Sequence, residues 1–331
     1  MTTRRGCMAS EGRIARWLTG LALACVAGVA GAQGFPARPV RIVVPFGPGG
    51  VADITARIVA EKMSGPLGQP VLVENRPGAG GVAAAMAVAK ATADGYSLLL
   101  ISNANAVSAT LFKAQPVDPV ADFAPISTLG YFDLVFVVRG AGERETLAAW
   151  LARARARPGK LNVATISPGS TQNLAAELLR MSASIDVQIV PYKATPEVAG
   201  AVLSGDADLA VDILAPLLGQ IRSGVLRPVA VASARRSAIL PELPTVAESG
   251  VAGYEATSWN GLAAPAGTPA AVVERLNREV NAALAAPEVA KRLRDLGIEP
   301  RAGTPEALRA QLVADIAKWR AVIERARIPL Q

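Results

Sequence analysis

Residues 40–57 read VRIVVPFGPGGVADITAR, and this stretch decides the fold. Its apolar run at 40–46 is typical of a parallel strand that is covered on both faces of a sheet. Glycine and proline follow, and apolar residues then recur at the spacing of a helix. The stretch therefore predicts a strand, a tight turn and a helix that begins near Gly50. Arg57 and Glu61 are predicted to form an exposed ion pair on that helix.

The chain continues with the same alternation of strands and helices. Residues 69–75 and 96–102 have the pattern of strands, and the alanine-rich stretch 82–91 between them has the pattern of a helix. This order of strands and helices predicts a parallel sheet with right-handed crossovers. The first unit is therefore predicted to be an α/β unit.

A second α/β unit follows the first. A strand is predicted at 133–140 and a helix at 145–156, and residues 161–181 then repeat the opening order of strand, Pro-Gly turn and amphipathic helix. Three more apolar strands are predicted at 187–193, 207–213 and 226–233. The chain therefore holds two α/β units in series, each with the same strand–turn–helix motif.

The C-terminal part of the chain is predicted to return to the first unit. Residues 254–269 look extended, and three helical patterns with proline in the first turn close the chain. These patterns lie at 269–285, 287–296 and 304–326. A terminal helical block needs a sheet to pack on, and the first unit is the natural host.

That return makes the first unit discontinuous and gives the chain two crossings between its units, at 134–139 and 257–262. We therefore predict two α/β lobes joined by a two-crossing hinge. Lobe 1 comprises 33–134 and 258–331, and lobe 2 comprises 135–257.

Residues 1–32 have the features of a secretory signal peptide. Four arginines precede a short apolar core, LTGLALACVAGVA, and small residues follow it. The core is too short to span a membrane. Cleavage near Ala32 would remove these arginines and Glu11, which lowers the net charge from +7 to +4, together with both cysteines, Cys7 and Cys25. An exported, periplasmic protein is predicted.

The composition excludes several kinds of chemistry. The chain has no histidine, and no cysteine would remain after cleavage, so Ser-His-Asp and Cys-His catalysis, disulfides and His-ligated metals are unavailable. The remaining positive charge is too diffuse to indicate a nucleic-acid partner. Glycosidase-type carboxylate pairs stay possible in principle, although aromatic platforms for sugars are scarce. No catalytic residue, metal or cofactor is predicted.

Both units place a glycine turn between a strand and a helix, at 46–50 and 167–173. The first turn of a helix leaves amide N–H groups unpaired, and the helix dipole adds partial positive charge there. Because glycine lets a ligand approach the backbone closely, such a turn can bind a carboxylate or a phosphate. Two such turns on facing lobes would form one cleft, which favours capture of a small di- or tricarboxylate. Tight turns without a ligand are the alternative.

The candidate ligand contacts come from both turns and from nearby strand ends. Asp53 complements the dipole of its helix, and contact with a ligand ammonium is the alternative role. Ser102, Asn103 and Asp212 follow or end strands and are predicted to face the cleft. The predicted ligand-binding residues are Phe46 (an apolar wall), Gly49, Gly50, Asp53, Ser102, Asn103, Gly169, Ser170, Thr171, Gln172 and Asp212.

A dinucleotide-binding fingerprint is the competing interpretation of the first turn. Residues 47–52 read GPGGVA, which formally satisfies G-x-G-x-x-A after a strand, and Glu74 ends the next strand. Pro48 inside the turn, the predicted export and the lack of histidine for hydride chemistry argue against a nicotinamide enzyme. The sequence therefore favours a binding protein over an oxidoreductase.

Several motifs together resemble the Bug family, the TctC-like periplasmic solute receptors of tripartite tricarboxylate transporters. They include RPVRIVVPFGPGGVADITAR at 38–57, GQPVLVENRPGAGG at 68–81, VPYKATPEV at 190–198 and KWRAVIERARI at 318–328. The resemblance runs from about residue 35 to the C-terminus. It implies a type II periplasmic-binding-protein fold of venus-flytrap type, in which the two glycine turns hold the ligand carboxylate, partly through bridging waters.

Two positions depart from the family pattern. Gln172 and Asn173 stand where the family often has a histidine before the leucine that corresponds to Leu174, which bears on pocket specificity. Ala194 stands where a glycine usually follows PYK. The resemblance implies a monomeric receptor without catalysis that delivers a small carboxylate to the membrane subunits of such a transporter. A sensory ligand-binding module without a transporter is the remaining alternative.

Overall fold

The computed structural model of the chain describes residues 34–78, 81–114, 116–140 and 145–330. The predicted signal peptide therefore lies outside the described residues. Within the described ranges, no helix combines the length and the apolar character that a membrane crossing requires. The described elements form two sheets that share one long strand.

The first sheet contains the strands from both ends of the chain. Strands β1, β2 and β3 are parallel to one another, whereas β9 runs antiparallel to β3 and β4. The order is β2 (Val71–Asn75), β1 (Val40–Val44), β3 (Ser97–Ser102), β9 (Thr257–Pro265), the first part of β4 (Phe123–Arg139) and β10 (Ile298–Pro300).

The second sheet is built from the middle of the chain. Its parallel strands β5, β6 and β7 lie beside the second part of β4, which runs antiparallel to β7 and to β8. The order is β6 (Gln188–Tyr192), β5 (Asn162–Ile166), β7 (Leu209–Ile213), β4 and β8 (Leu226–Val231).

The chain changes sheet at two places. Within β4, Asp133 is the last residue that pairs with β9, and Leu134 is the first that pairs with β7. On the return, the Ala256 amide donates to Ala232 O at 2.8 Å, and Thr257 then begins the pairing with β4. We propose that the two lobes meet at these points, close to the predicted crossings.

Helices cover both faces of both sheets, as the predicted α/β architecture requires. One face carries α1 (Val51–Leu67), α8 (Ala270–Ala285) and α9 (Pro287–Asp295) over the first sheet, and α6 (Thr195–Ser204) and α7 (Leu214–Arg222) over the second. The other face carries α2 (Val82–Ala89), α3 (Asn103–Leu111) and α10 (Pro305–Ala326) over the first sheet, and α4 (Leu147–Ala156) and α5 (Thr171–Ser182) over the second.

The apolar core is continuous on one face and divided on the other. On the face of α10, a single cluster runs through both lobes and includes the buried Trp150, Trp259 and Trp319. On the face of α1, each lobe has its own cluster. The lobes are therefore joined by apolar packing along the α10 face and are separate units of packing along the α1 face.

Several predicted details were wrong. The strand predicted at 133–140 belongs to a strand that already starts at Phe123. Arg57 pairs with Asp53 at 3.0 Å instead of Glu61, and Glu61 pairs with Arg292, also at 3.0 Å. Helix α3 and the short strand β10 were not predicted. Arg292 reaches Glu61 through tertiary packing, whereas Arg57 pairs within its own helix with the acid four residues before it instead of the acid four residues after it.

Candidate ligand-binding cleft

The carboxyl ends of strands from both sheets meet at the changeover of β4. Because β3 and β4 both run antiparallel to β9, β3 points toward the changeover, and its last residue Ser102 pairs with Asn260. Strand β7 approaches from the other lobe, and Ile213 at its end pairs with Leu134. In open α/β sheets this edge is where ligands bind.

The turn of lobe 1 presents free amides at the start of α1. Gly49 has a φ of 81°, a left-handed conformation that suits glycine. Its N–H donates to Asp53 Oδ2 at 2.9 Å, so this amide is already used. The first helical bond runs from the Ile54 amide to Gly50 O at 3.0 Å. Among the described residues, the amides of Gly50, Val51 and Ala52 have no hydrogen-bond acceptor.

The turn of lobe 2 repeats this arrangement at the start of α5. Gly169 has a φ of 76°, and its N–H donates to Asn173 Oδ1 at 3.1 Å. Ser170 caps the helix, because its Oγ accepts from the Asn173 amide at 3.1 Å. The amides of Thr171 and Gln172 are left without an acceptor in the described chain. Both turns thus use a glycine amide and the side chain four residues later to fix the following N–H groups.

Asp53 holds the lobe 1 turn in place. Its carboxylate is buried and accepts hydrogen bonds from the Gly49 amide, from Arg57 Nε at 3.0 Å and from Asn75 Nδ2 at 2.9 Å. Burial alone would raise the pKa of Asp53, but the hydrogen bonds from Arg57, Gly49 and Asn75 outweigh it and the pKa is lowered. The structure therefore assigns Asp53 to the support of the turn, and the alternative of an ammonium contact has no free oxygen to rely on.

We expect Asp53→Ala to destabilise the protein by about 2–4 kcal/mol at pH 7, because it leaves buried donors unpaired. A lowered folded-state pKa means that the contribution of Asp53 is present above about pH 4 and is lost as the pH falls through the folded-state value. Urea unfolding at pH 7 and pH 3 should show the difference between variant and wild type shrinking in acid.

The matched control for that experiment is Asp295→Ala. Asp295 is an exposed acid that also pairs with a cation four residues away, Lys291. An exposed pair of this kind contributes about 0–1 kcal/mol, so the control should stay near wild type at both pH values. A constant loss for Asp53→Ala across the pH range would contradict the assigned role of its charge.

Side chains from both lobes touch across the cleft. Asn103 Nδ2 donates to Thr171 Oγ1, which links the start of α3 in lobe 1 to the start of α5 in lobe 2. Asn103 Oδ1 accepts from Ser258 Oγ of β9 at 3.0 Å. Leu111 of α3 packs so closely against Gly169 that a Cβ on this glycine would overlap its side chain. The lobe 2 turn therefore rests directly on lobe 1.

Asp212 is the buried acid of the lobe 2 wall, with 0% of its surface exposed. Gln172 Nε2 donates to its Oδ1 at 2.9 Å, and the Ile213 amide donates to the same atom at 2.7 Å. Burial raises the pKa of Asp212, and hydrogen bonds from Gln172, Thr195 and Ile213 offset that rise in part. Asp212 therefore positions Gln172 at the start of α5.

The structure brings most of the predicted residues to this one edge, in three roles. Phe46, with 36% of its surface exposed, and Gly50 lie at the open end of the lobe 1 turn. Ser102, Asn103, Thr171, Gln172 and Asp212 are buried where the lobes meet. The amides of Gly49 and Gly169 and the hydroxyl of Ser170 form hydrogen bonds within the turns themselves. The proposed ligand contacts are therefore the next amides along the chain in each turn.

Sequence reasoning missed three supporting residues of the cleft, Asn75, Asn173 and Ser258. The sequence did contain a signal for Asn173, because it follows Gly169 by four residues, just as Asp53 follows Gly49 by four residues in the first turn. The described residues contain no group of three or more His, Cys, Asp or Glu side chains that could hold a metal ion.

Two α/β lobes that share a crossing strand and touch each other at their strand ends and helix N-termini define a type II periplasmic-binding-protein fold. The chain belongs to the tripartite tricarboxylate transporter family of receptors, TctC, whose family pattern matches residues 55–328. Among curated relatives, BugT of Bordetella pertussis is 35% identical over 313 residues, which cover 94% of this chain and 96% of BugT.

Solved structures agree with that assignment. Rpa4515 of R. palustris, solved with adipate, has a TM-score of 0.78 and 34% identity, and the match covers 89% of this chain and 99% of that one. The periplasmic binding protein BugD has a TM-score of 0.75 and 33% identity, with coverage of 90% and 100%. MatC from Rhodopseudomonas palustris with bound malate has a TM-score of 0.74 and 31% identity, with coverage of 87% and 100%.

Proposed function

We propose that this protein is an exported solute receptor that captures a small carboxylate between its lobes and delivers it to the membrane subunits of a tripartite tricarboxylate transporter. It performs no catalysis in this role. The observation that carries the proposal is the pair of matching turns. Each lobe fixes a glycine amide with a side chain four residues later and leaves the next N–H groups free at a helix start.

The charges around the cleft suit this role. Helix starts supply oriented amides and partial positive charge, which bind carboxylates without a cationic side chain. Arg57, the single arginine of α1, is already paired with Asp53 and hydrogen-bonded to Asn75 Oδ1 at 3.0 Å. Neutral N–H donors from both lobes would hold the ligand. When the lobes separate to release it, exposing these donors to water costs little free energy.

The structure also weakens the dinucleotide interpretation. The acid that would hold a ribose, Glu74, is engaged by Arg41 Nη1 at 2.8 Å and by Arg76 Nε. The amide of Gly49 in the fingerprint turn is used by Asp53. The relatives solved with adipate and with malate support a small carboxylate as the ligand class.

A thermal-shift panel on residues 33–331 tests the proposal. The panel contains citrate, malate, succinate and adipate, with butanoate and hexanoate as monocarboxylates and 1,6-hexanediol as the uncharged control. A bound acid at 100 times its Kd stabilises the folded state by about 2.7 kcal/mol. For a chain of this size that predicts a rise in Tm of at least about 4 °C. A flat response to every acid would refute the proposed function.

A further inference from the structure

A row of polar side chains lines the end of the first sheet on the face that carries α1. Ser102 of β3 and Asn260 of β9 are register partners, and Ser258 lies two residues before Asn260 on the same face. Leu100 lies two residues before Ser102, and Leu262 lies two residues after Asn260, so both are on the same face of the sheet. Both belong to the apolar cluster that packs under α1. The row therefore begins where that cluster ends, at the edge of the cleft.

Two donors in this row have no acceptor. Ser102 is 2% exposed and Asn260 is 1% exposed, and neither the Ser102 hydroxyl nor Asn260 Nδ2 donates a hydrogen bond to the described chain. The Ser102 amide is accounted for, because it donates to Asn105 Oδ1 at 2.9 Å. The hydroxyl of Ser258 is also accounted for, through Asn103 Oδ1.

Such unpaired donors are unfavourable in a buried place. Leaving a buried donor without an acceptor costs about 1–3 kcal/mol, and most buried polar groups in folded proteins have a partner. Two neighbouring donors without partners on one face therefore indicate a site for an acceptor that enters from outside the chain. An oxygen atom of a ligand meets that requirement.

The position of the row relates it to the free amides of the lobe 1 turn. Helix α1 packs on the same face of the first sheet, and its N-terminus lies beyond the carboxyl end of β1. Strands β1 and β3 are adjacent and parallel, so Ser102 lies at the same end of the sheet as that N-terminus. The Asn103–Thr171 hydrogen bond joins the two lobes immediately after Ser102, so a ligand reaches the row when the lobes separate.

We propose that Ser102 and Asn260 form a second oxygen site for the ligand, in addition to the helix starts that bind its first carboxylate. This inference rests on the proposed function and names the ligand class more narrowly. The site takes acids with a second oxygen function, a carboxylate, carbonyl or hydroxyl, in preference to aliphatic monocarboxylates of the same chain length.

The test compares adipate with hexanoate and succinate with butanoate, by isothermal titration calorimetry on residues 33–331. Wild type should bind one bifunctional acid at least about tenfold more tightly than its monocarboxylate partner, as expected when a buried donor loses its acceptor. Ser102→Ala should reduce that preference about tenfold, through weaker binding of the bifunctional acid only. Its melting temperature should fall by only about 1–3 °C, because Ser102 is also the N-cap of α3 and loss of an N-cap serine costs about 0.5–2 kcal/mol.

Ser258→Ala is the matched control, since it deletes a buried hydroxyl of the same row that is bonded to Asn103. It should change the affinity for both members of a pair by the same factor. Equal binding of both members by wild type, or an equal loss of both in Ser102→Ala, would overturn the second oxygen site and leave the carboxylate receptor standing. Failure of wild type to bind any of the four acids would overturn both proposals.

Discussion

Gly50→Val is expected to reduce the affinity for the ligand roughly 100-fold or more. The added side chain would stand over the free amides at the start of α1, and losing two hydrogen bonds to a charged carboxylate costs about 3 kcal/mol or more. The fold should tolerate the change, because Gly50 has a φ of −77° and a Cβ there would meet only Gly47 O, at 3.8 Å. Calorimetric titration with the acid that gives the largest thermal shift measures the loss.

Stability measurements separate a blocked site from a damaged fold. Valine is a poorer N-cap residue than glycine, which predicts a loss of about 1 kcal/mol and a fall in Tm of about 2 °C. Gly219→Val is the matched control, because Gly219 is exposed in α7 with no atom within 4 Å of a Cβ. The control should bind within about twofold of wild type. Wild-type affinity in Gly50→Val would show that the carboxylate lies elsewhere.

The second large effect is expected from Gly169→Ala, which should destabilise the protein by about 2–4 kcal/mol. An alanine at a φ of 76° costs about 1–2 kcal/mol, and overlap of its Cβ with Leu111 Cδ2 adds a similar amount. The overlap also pushes the lobe 2 turn away from α3, so the affinity for the acid should fall as well. Urea unfolding and calorimetric titration measure the two effects.

Two further variants separate backbone strain from the clash between the lobes. Gly205 has a φ of 88° and no atom within 4 Å of a Cβ, so Gly205→Ala reports the backbone contribution alone. Leu111→Ala makes room for the new methyl group, so the double variant with Gly169→Ala should be less destabilised than the sum of the single variants, by about 1 kcal/mol. Additive losses would mean that the lobes do not press on each other at this contact.

The sequence predicted the elements whose signals are local. The apolar run before the glycine turn, and proline at the starts of the helices at 287 and 305, determine strands and helices through neighbours in the chain. The resemblance to the TctC-like receptors also predicted the family, which the comparison with known proteins confirms. The candidate cleft followed from the same local signals, because its walls are the ends of those elements.

Features that depend on distant residues could not be predicted in this way. The first part of β4 contains Pro125, Ser127 and Thr128, and these residues lie in a strand because the distant β9 pairs with β4 from Phe123 to Asp133. Asn75 holds Asp53 from 22 residues away, and Ser258 bonds to Asn103 from 155 residues away. The hydrogen bonds of the Gly49 and Gly169 amides depend on the orientation of single side chains, and the shared spacing to Asp53 and Asn173 was their only signal in the sequence.

The shared apolar cluster on the α10 face has a consequence for how the protein melts. Trp150 of lobe 2 and Trp319 of lobe 1 belong to one packed unit, and β4 supplies backbone hydrogen bonds to both sheets. Neither lobe can lose its packing on the α10 face without exposing apolar side chains of the other lobe. Heating should therefore produce a single cooperative heat-absorption peak, with calorimetric and van't Hoff enthalpies in agreement, as for a one-domain protein.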